Sequence, residues 1–423
     1  MRIEPASSVR GTFTLPGDKS ISHRAALIGA MATGQTRVRN FGSAADCAST
    51  LACLRGLGVA IRQDGEELVI EGGLDAWRAP ASVLDAGNSG STIRMLAGAL
   101  AGRRFTTTVT GDASLQRRPL ERVAAPLRAM GASVETTGGS APITITGGPL
   151  RGFAHDLPVA SAQVKTAILL AGLQAEGRTT VREPMPSRDH TERMLKAFGV
   201  TVERDGLSAS VTGGTPLRGT TVRVPGDASS AAFLVVAALV RPDSEIRLEG
   251  VLLSPTRSAF IDVLKQMGGR VETELVETDP EPVGSIVASS SALRGVRVDP
   301  ALVPSLIDEV PALAVAGAFA SGELEITGAS ELRFKESDRI AALASGLQTL
   351  GVPVRELADG LVVTGGAPLR GAAVDSHDDH RIAMALAVAA LGASGPTEIA
   401  RGECVSVSFP EFYALLARAT GRA

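Results

Sequence analysis

Aromatic side chains are scarce: one tryptophan, one tyrosine and 11 phenylalanines make up 3% of 423 residues. Stacking of bases or sugars on rings is therefore not a main binding mode. Cysteine is rarer still. Three of them (Cys47, Cys53 and Cys404) show no metal-ligand spacing, and an odd count argues against a disulfide framework. No apolar run approaches the roughly 18 residues a membrane helix needs, and no charged-then-apolar leader opens the chain. The net charge of −3 offers no bulk positive surface for nucleic acid. Also missing are G-x-x-x-x-G-K-[ST], G-x-G-x-x-G, G-x-S-x-G and H-E-x-x-H, so nucleotide loops, a nucleophile elbow and a zinc-protease helix are not indicated. His377-Asp378-Asp379-His380 reads as a polar helix cap rather than a metal site. The expectation is a cytoplasmic, folded, two-domain protein without a membrane or nucleic-acid partner and without a metal.

Glycine and alanine are plentiful, and they come in a recurring phrase. SVRGTFTLPGDKSISHRAALIGA is echoed by PLRGFAHDLPVASAQVKTAILLAGL, PLRGTTVRVPGDASSAAFLVVAAL, ALRGVRVDPALVPSLIDEVPALAVAGAFA and PLRGAAVDSHDDHRIAMALAVAAL, with a degenerate copy at DAWRAPASVLDAGNSGSTIRMLAGAL. Six copies in this length give about 70 residues each. Each predicts a turn, a short strand, small polar residues and a buried helix. Most continue into a second helix ending at glycine and a strand pair such as VAIRQDGEELVIEGG. The last copy lacks that hairpin, so the N-terminal strand is expected to complete it. The first helix of each copy is apolar all round, which predicts buried parallel helices with sheets outside. Two halves of three repeats follow, 17–225 and a discontinuous 1–16 with 226–423.

The slot between strand and buried helix carries the charges. It holds Asp18-Lys19-Ser20-Ile21-Ser22-His23-Arg24 in the first copy and Gly87-Asn88-Ser89-Gly90-Ser91-Thr92-Ile93-Arg94 in the second. Later slots hold Ser161 to Lys165, Asp227 to Ser230, Ser305 to Glu309 and Asp378 to Arg381. Asp227, Ser229 and Ser230 read as helix caps. Lys19, Arg24, Arg94 and Arg381 read otherwise: a cation in a helix's first turn opposes the dipole and is tolerated when an anion sits between. Arg117 and Arg118 before Pro119 are expected to be extended, and Ser187 to His190 to start a helix. FKESDRIAAL would set Lys335, Glu336 and Arg339 at a helix beginning, with Lys335 and Arg339 one turn apart.

LPGDKSISHR, GNSGSTIR, QRRP, SAQVK, SRDHTERM, IDEVPALAVAGAFA, FKESDR, DDHR and SFPEF, in that order, resemble the 3-phosphoshikimate 1-carboxyvinyltransferase (EPSP synthase) family from Leu15 to Phe412. The resemblance implies a two-domain inside-out α/β barrel of six βαβαββ repeats with the active site in the cleft. It implies transfer of the enolpyruvyl group of phosphoenolpyruvate to the 5-hydroxyl of shikimate 3-phosphate, without metal or organic cofactor, by a monomer. Carried over by position, Lys19, Ser20, Arg24, Ser161, Ala162, Gln163, Ser187, Arg188, Asp308 and Lys335 would contact shikimate 3-phosphate. Lys19, Asn88, Gly90, Ser91, Arg94, Arg118, Gln163, Glu336, Arg339, His380 and Arg381 would surround phosphoenolpyruvate. Asp308 would be the base for the attacking hydroxyl, with Glu336 at the methylene carbon and Lys19 a further proton donor.

The sequence departs from the family pattern at Val407, where a lysine is common, and at Glu331, Ala162 and His190. Gly90 keeps the small residue of glyphosate-sensitive members. Two other readings stand beside this one. The sister transferase acting on a UDP-N-acetylhexosamine uses a loop cysteine, and the corresponding Gly111–Pro119 region has none. A non-catalytic anion-binding protein would have little use for Asp308, Glu336 and Lys19 together.

Overall fold

The computed structural model describes residues 1–422. Helices and strands are interleaved from end to end. Contacts divide the chain into two compact units, Gly17–Val224, and Met1–Pro16 together with Pro225–Ala423.

The repeats share one plan: a short strand enters, a core helix crosses and a further strand follows, paired in parallel with the entering strand in the second, third and sixth copies; an antiparallel hairpin then widens the sheet in most copies. In the unit Gly17–Val224, Leu84–Asp85 pairs in parallel with Thr106–Thr110, which pairs antiparallel with Ser140–Thr146 and through it with Ser133–Thr137. Ala154–Asp156, Arg178–Arg182, Ser208–Thr212 and Glu203–Asp205 repeat the order. Alternation sets these strands: Ala141, Ile143 and Ile145 face inward while their neighbours face out.

Two entering strands are exchanged between repeats. Arg10–Thr14, which leads to the first core helix, pairs with Glu245–Leu252 of the fourth repeat. Thr221–Arg223, which leads to the fourth core helix, pairs with Gly34–Arg39 of the first. The expected completion of the last repeat falls to only Arg2–Ile3, antiparallel to Thr397–Ala400. The longer N-terminal strand serves the fourth repeat instead.

The six core helices are Lys19–Met31, Gly90–Leu100, Ala162–Gly172, Ala228–Val240, Val310–Phe319 and His380–Ala390. Every residue of His380–Ala390 is buried, as are 12 of the 13 in Ala228–Val240. Helices this apolar have no solvent face to present, so sheets cover them. Within each unit they pack on one another: the second on the first and third, and the fourth, fifth and sixth pairwise. Small residues permit the approach. A Cβ on Gly98 would stand 2.1 Å from the Ala167 carbonyl oxygen, so any side chain there would force the second and third helices apart. Among the described residues, no single helix is long and apolar enough to cross a membrane.

Candidate active site

Five of the six core helices begin with a side-chain cap. Asp18, Ser89, Ser161, Asp227 and Asp379 accept the backbone N–H of Ile21, Thr92, Val164, Ser230 and Arg381 respectively. Each cap is worth about 1 kcal/mol and fixes the residues beside it. In Gly17–Val224 those residues are mostly cations and their holders.

Lys19 opens the first core helix and donates to Asp46 Oδ2 at 3.0 Å. The Arg94 guanidinium donates to Gln163 Oε1 at 2.8 Å and to the Pro119 carbonyl at 3.2 Å, and Gln163 Nε2 donates to Ser91 Oγ at 2.9 Å. Arg118 is largely buried and donates to Asn88 Oδ1 at 2.8 Å, the Asn88 carbonyl and Ser114 Oγ. Asn88 in turn donates to Asp112 at 2.7 Å. A Cβ on Gly90 would fall 2.7 Å from Arg94 Nη1 and 3.4 Å from Arg118 Nη1. That glycine is the gap between two guanidinium groups. Arg188 donates to Ser20 Oγ at 3.1 Å, while the Ser187 Oγ is buried with no hydrogen-bond partner.

Arg24 behaves differently from its neighbours. It is 2% exposed and bonds Thr191 Oγ1, Thr166 Oγ1 and the Ser20 and Ala162 carbonyls, tying three helix starts together. Lys165 also turns inward, at 2.7 Å from Glu183 and 2.8 Å from Glu192. His23 beneath this surface shares a 2.7 Å hydrogen bond with Thr50, which bonds Thr92 at 2.6 Å. Burial first, then Lys19 and Arg24, push its pKa well below the usual histidine value, so it is neutral at pH 7.

In the unit containing Pro225–Ala423, carboxylates and cations alternate around Arg339. Its Nε donates to Asp379 Oδ2 at 2.8 Å, Nη1 to Asp308 at 3.3 Å, and Nη2 to Glu336. Burial disfavours the guanidinium charge, but Asp379, Glu336 and Asp308 outweigh it and raise the pKa above the ordinary arginine value. Asp308 also has Arg381 Nη2 at 3.7 Å and Lys335 Nζ at 3.8 Å, and its carbonyl accepts from Arg381 Nη1 at 3.0 Å. His380 opens the sixth core helix and is buried beside these groups.

The geometry corrects several sequence expectations. Lys335 and Arg339 do not share a helix face: Lys335 follows the one-turn segment Ser330–Phe334, and the helix starts at Arg339 behind its cap Asp338. Arg24 and Arg94 lie in the second turns of their helices rather than the first. Ser229 is not a cap, since Asp227 holds that role for the fourth core helix. Arg117 ends a short 3-10 turn with its side chain exposed; only Arg118 is buried. The pattern also gave no hint of Asp46, Asp112, Asp379 or Glu309 as partners. A lone Asp46 in a helix's first turn reads as an ordinary dipole complement. Among the described residues, no group of three or more His, Cys, Asp or Glu side chains is placed to hold a metal.

The two units thus carry different chemistry. In Gly17–Val224, Arg94, Arg118 and Arg188 are held at helix starts by hydrogen bonds to amide, carbonyl and hydroxyl oxygens, a donor set suited to an anion. The other unit sets Lys335, Arg339 and Arg381 against the carboxylates of Asp308, Glu336 and Asp379. Two of the three thiols lie outside the reactive range. Burial, then Asp85, pushes Cys53 up to about 12, and burial pushes Cys404 up to about 11, leaving both as unreactive thiols.

The family model for EPSP synthase (3-phosphoshikimate 1-carboxyvinyltransferase) matches residues 3–416. A 3-phosphoshikimate 1-carboxyvinyltransferase of Acidithiobacillus ferrooxidans is 51% identical over 420 residues, covering 99% of this chain and 97% of its own. That of Shouchella clausii is 49% identical, with 96% of each chain covered. Among solved structures, EPSP synthase from Acinetobacter baumannii aligns with TM-score 0.88 at 46% identity, covering 99% of this chain and 97% of that one. The enolpyruvyl transferase NikO from Streptomyces tendae shares the fold, with TM-score 0.79 at 21% identity over 99% of this chain and 96% of its own. Helix-start cations, inert thiols, six repeats and full-length similarity agree, and the chain belongs to the EPSP synthase family.

Proposed function

We propose a division of labour for the reaction that membership of this family gives the chain, transfer of the enolpyruvyl group of phosphoenolpyruvate to the 5-hydroxyl of shikimate 3-phosphate. Each substrate carries a phosphate and a carboxylate. Lys19, Ser20, Ser161, Ala162, Gln163, Ser187 and Arg188 bind shikimate 3-phosphate, and Arg24, expected among them, turns inward and holds the Ser20 and Ala162 carbonyls. Asn88, Gly90, Ser91, Arg94, Arg118 and Lys19 take phosphoenolpyruvate, joined by Arg339, His380 and Arg381 at its carboxylate. Asp308 and Glu336 move the protons. The enzyme works in the cytoplasm as a monomer, with these two small molecules as its only partners.

The observation that carries this reading is the setting of Asp308, whose carboxylate has Arg339, Arg381 and Lys335 within 4 Å. Three cations around one carboxylate orient it as a proton acceptor within reach of a bound substrate. The 5-hydroxyl gives its proton to Asp308 as its oxygen bonds to C2 of phosphoenolpyruvate, while the C3 methylene gains a proton and becomes methyl. Glu336 handles that second proton. It is bonded to Arg339; when Arg339 takes the substrate carboxylate, Glu336 is released to exchange a proton with the C3 carbon. Collapse reverses both movements: Glu336 removes a methyl proton, the C–O bond to phosphate breaks, and Asp308 returns its proton to the leaving phosphate. Lys19 neutralises charge on that phosphate and stands as the alternative donor.

The test runs the reaction in deuterated water and follows label in the C3 hydrogens of recovered phosphoenolpyruvate. Glu336→Gln should slow exchange about 100-fold, the scale of one positioned acid–base group. Exchange at the wild-type rate in Glu336→Gln would remove Glu336 from this role.

A further inference from the structure

The fifth core helix starts unlike the others. Glu309 precedes Val310–Phe319 but makes no side-chain cap bond to it. Instead the fully buried Glu309 accepts a hydrogen bond from Ser229 Oγ on the fourth core helix. Ser229 Oγ in turn accepts from Arg257 Nη2 at 2.7 Å. Arg257 is 1% exposed, and its Nη2 lies 3.8 Å from Asp227, the cap of the helix that carries Ser229. One hydroxyl thus joins a buried guanidinium to a buried carboxylate, and both of its hydrogen bonds are charge-assisted. Nothing in the proton transfers above uses these three residues.

Their neighbour explains their value. Asp308 and Glu309 lie in a bend of 116° between the helical segments Pro300–Leu306 and Val310–Phe319. A bend of this kind lacks the continuous helical bonding that would fix a side chain's direction. Asp308 faces Arg339, Arg381 and Lys335, whereas Glu309 is bonded to Ser229. Arg381 Nη1 also holds the Asp308 carbonyl at 3.0 Å. The Glu309 backbone is bonded to Leu306 and Leu313, and the side-chain bond to Ser229 adds an anchor on the face opposite the Asp308 carboxylate; a small displacement of a reacting group is enough to cost rate.

We propose that Arg257, Ser229 and Glu309 form a buried positioning triad that sets the direction of the Asp308 carboxylate. This rests on the reading of Asp308 as the base. The triad touches no substrate; it acts through the bend.

The experiment is a double-mutant cycle on kcat with Ser229→Ala, Asp308→Ala and the pair, with phosphoenolpyruvate and shikimate 3-phosphate as substrates. Ser229→Ala should lower kcat about 30-fold with both KM values within about threefold of wild type, as loss of orientation rather than of binding. In the Asp308→Ala background the same change should cost less than about twofold, because its effect passes through the missing carboxylate. An equal loss in both backgrounds, or an unchanged kcat in Ser229→Ala, overturns the triad and leaves Asp308 as the base. Wild-type turnover in Asp308→Ala overturns both readings together. Should Ser229→Ala not fold, Arg257→Gln, which keeps a donor to Ser229 without the charge, is read through the same cycle.

Discussion

Arg339 Nε and Asp379 Oδ2 meet at 2.8 Å with both side chains shut away from water, 2% and 0% exposed. The second Asp379 oxygen caps the sixth core helix through the Arg381 amide at 2.9 Å. One carboxylate thus orients two arginines assigned to phosphoenolpyruvate. Asp379→Ala leaves Arg339 with one fewer buried counter-charge and the helix uncapped, and should cost about 3–5 kcal/mol of stability. Asp379→Asn, which keeps a cap, should cost less. Urea denaturation of the two variants checks this, and equal losses would contradict the double role.

Gly90 fills the gap beside Arg94 and Arg118. A methyl group there meets Arg94 Nη1 at 2.7 Å, and that guanidinium is already tied to Gln163 and Pro119. Gly90→Ala should raise the KM for phosphoenolpyruvate about tenfold, the effect of about 1.4 kcal/mol, and weaken glyphosate inhibition by at least as much. The KM for shikimate 3-phosphate should stay within about twofold, since the displaced group is not assigned to that substrate. Steady-state kinetics with each substrate varied in turn decides it.

Lys165 is the shared cation of two buried carboxylates, Glu183 and Glu192. Lys165→Met leaves two acids facing each other in the interior and should destabilise the protein by about 3–5 kcal/mol. A change below about 1 kcal/mol in denaturant unfolding would show that the pair exchanges its counter-charge without loss.

His23 makes stability depend on pH. Its pKa in the fold lies below the ordinary 6.5, chiefly through burial, so the unfolded chain takes up a proton that the folded chain refuses. Its contribution is flat above about pH 6.5 and turns against folding as pH drops further, by up to about 1.4 kcal/mol per pH unit. Denaturation between pH 7.5 and 5.5 should show a steeper fall in wild type than in His23→Asn. Parallel profiles would mean that His23 is protonated in the fold.

The repeats, the buried helices and the capped slots were legible because each depends on local spacing: a glycine turn, alternation, or a polar residue before an apolar run. The Asp338 stop is legible too, since Ser337-Asp338 before Arg339-Ile340-Ala341-Ala342-Leu343 is an ordinary helix entrance that leaves Lys335 outside the helix. Which cations face inward was not legible. Arg24 and Lys165 sit in slots that look like those of Lys19 and Arg94, and only Thr191, Glu183 and Glu192 from later in the chain decide their direction. The exchanged entering strands escaped for the same reason. Arg10–Thr14 and Thr221–Arg223 lie in similar phrases, RGTFTLPGD and RGTTVRVPGD, and local pattern does not choose between equivalent sheet edges.

The most direct measurement is phosphate release from phosphoenolpyruvate by wild type and Asp308→Ala, with shikimate 3-phosphate or a UDP-N-acetylhexosamine as acceptor. Turnover should require shikimate 3-phosphate and fall about 1,000-fold or more in Asp308→Ala, as expected for loss of a central proton acceptor. Comparable release with the UDP-sugar, or an unimpaired Asp308→Ala enzyme, would contradict the account.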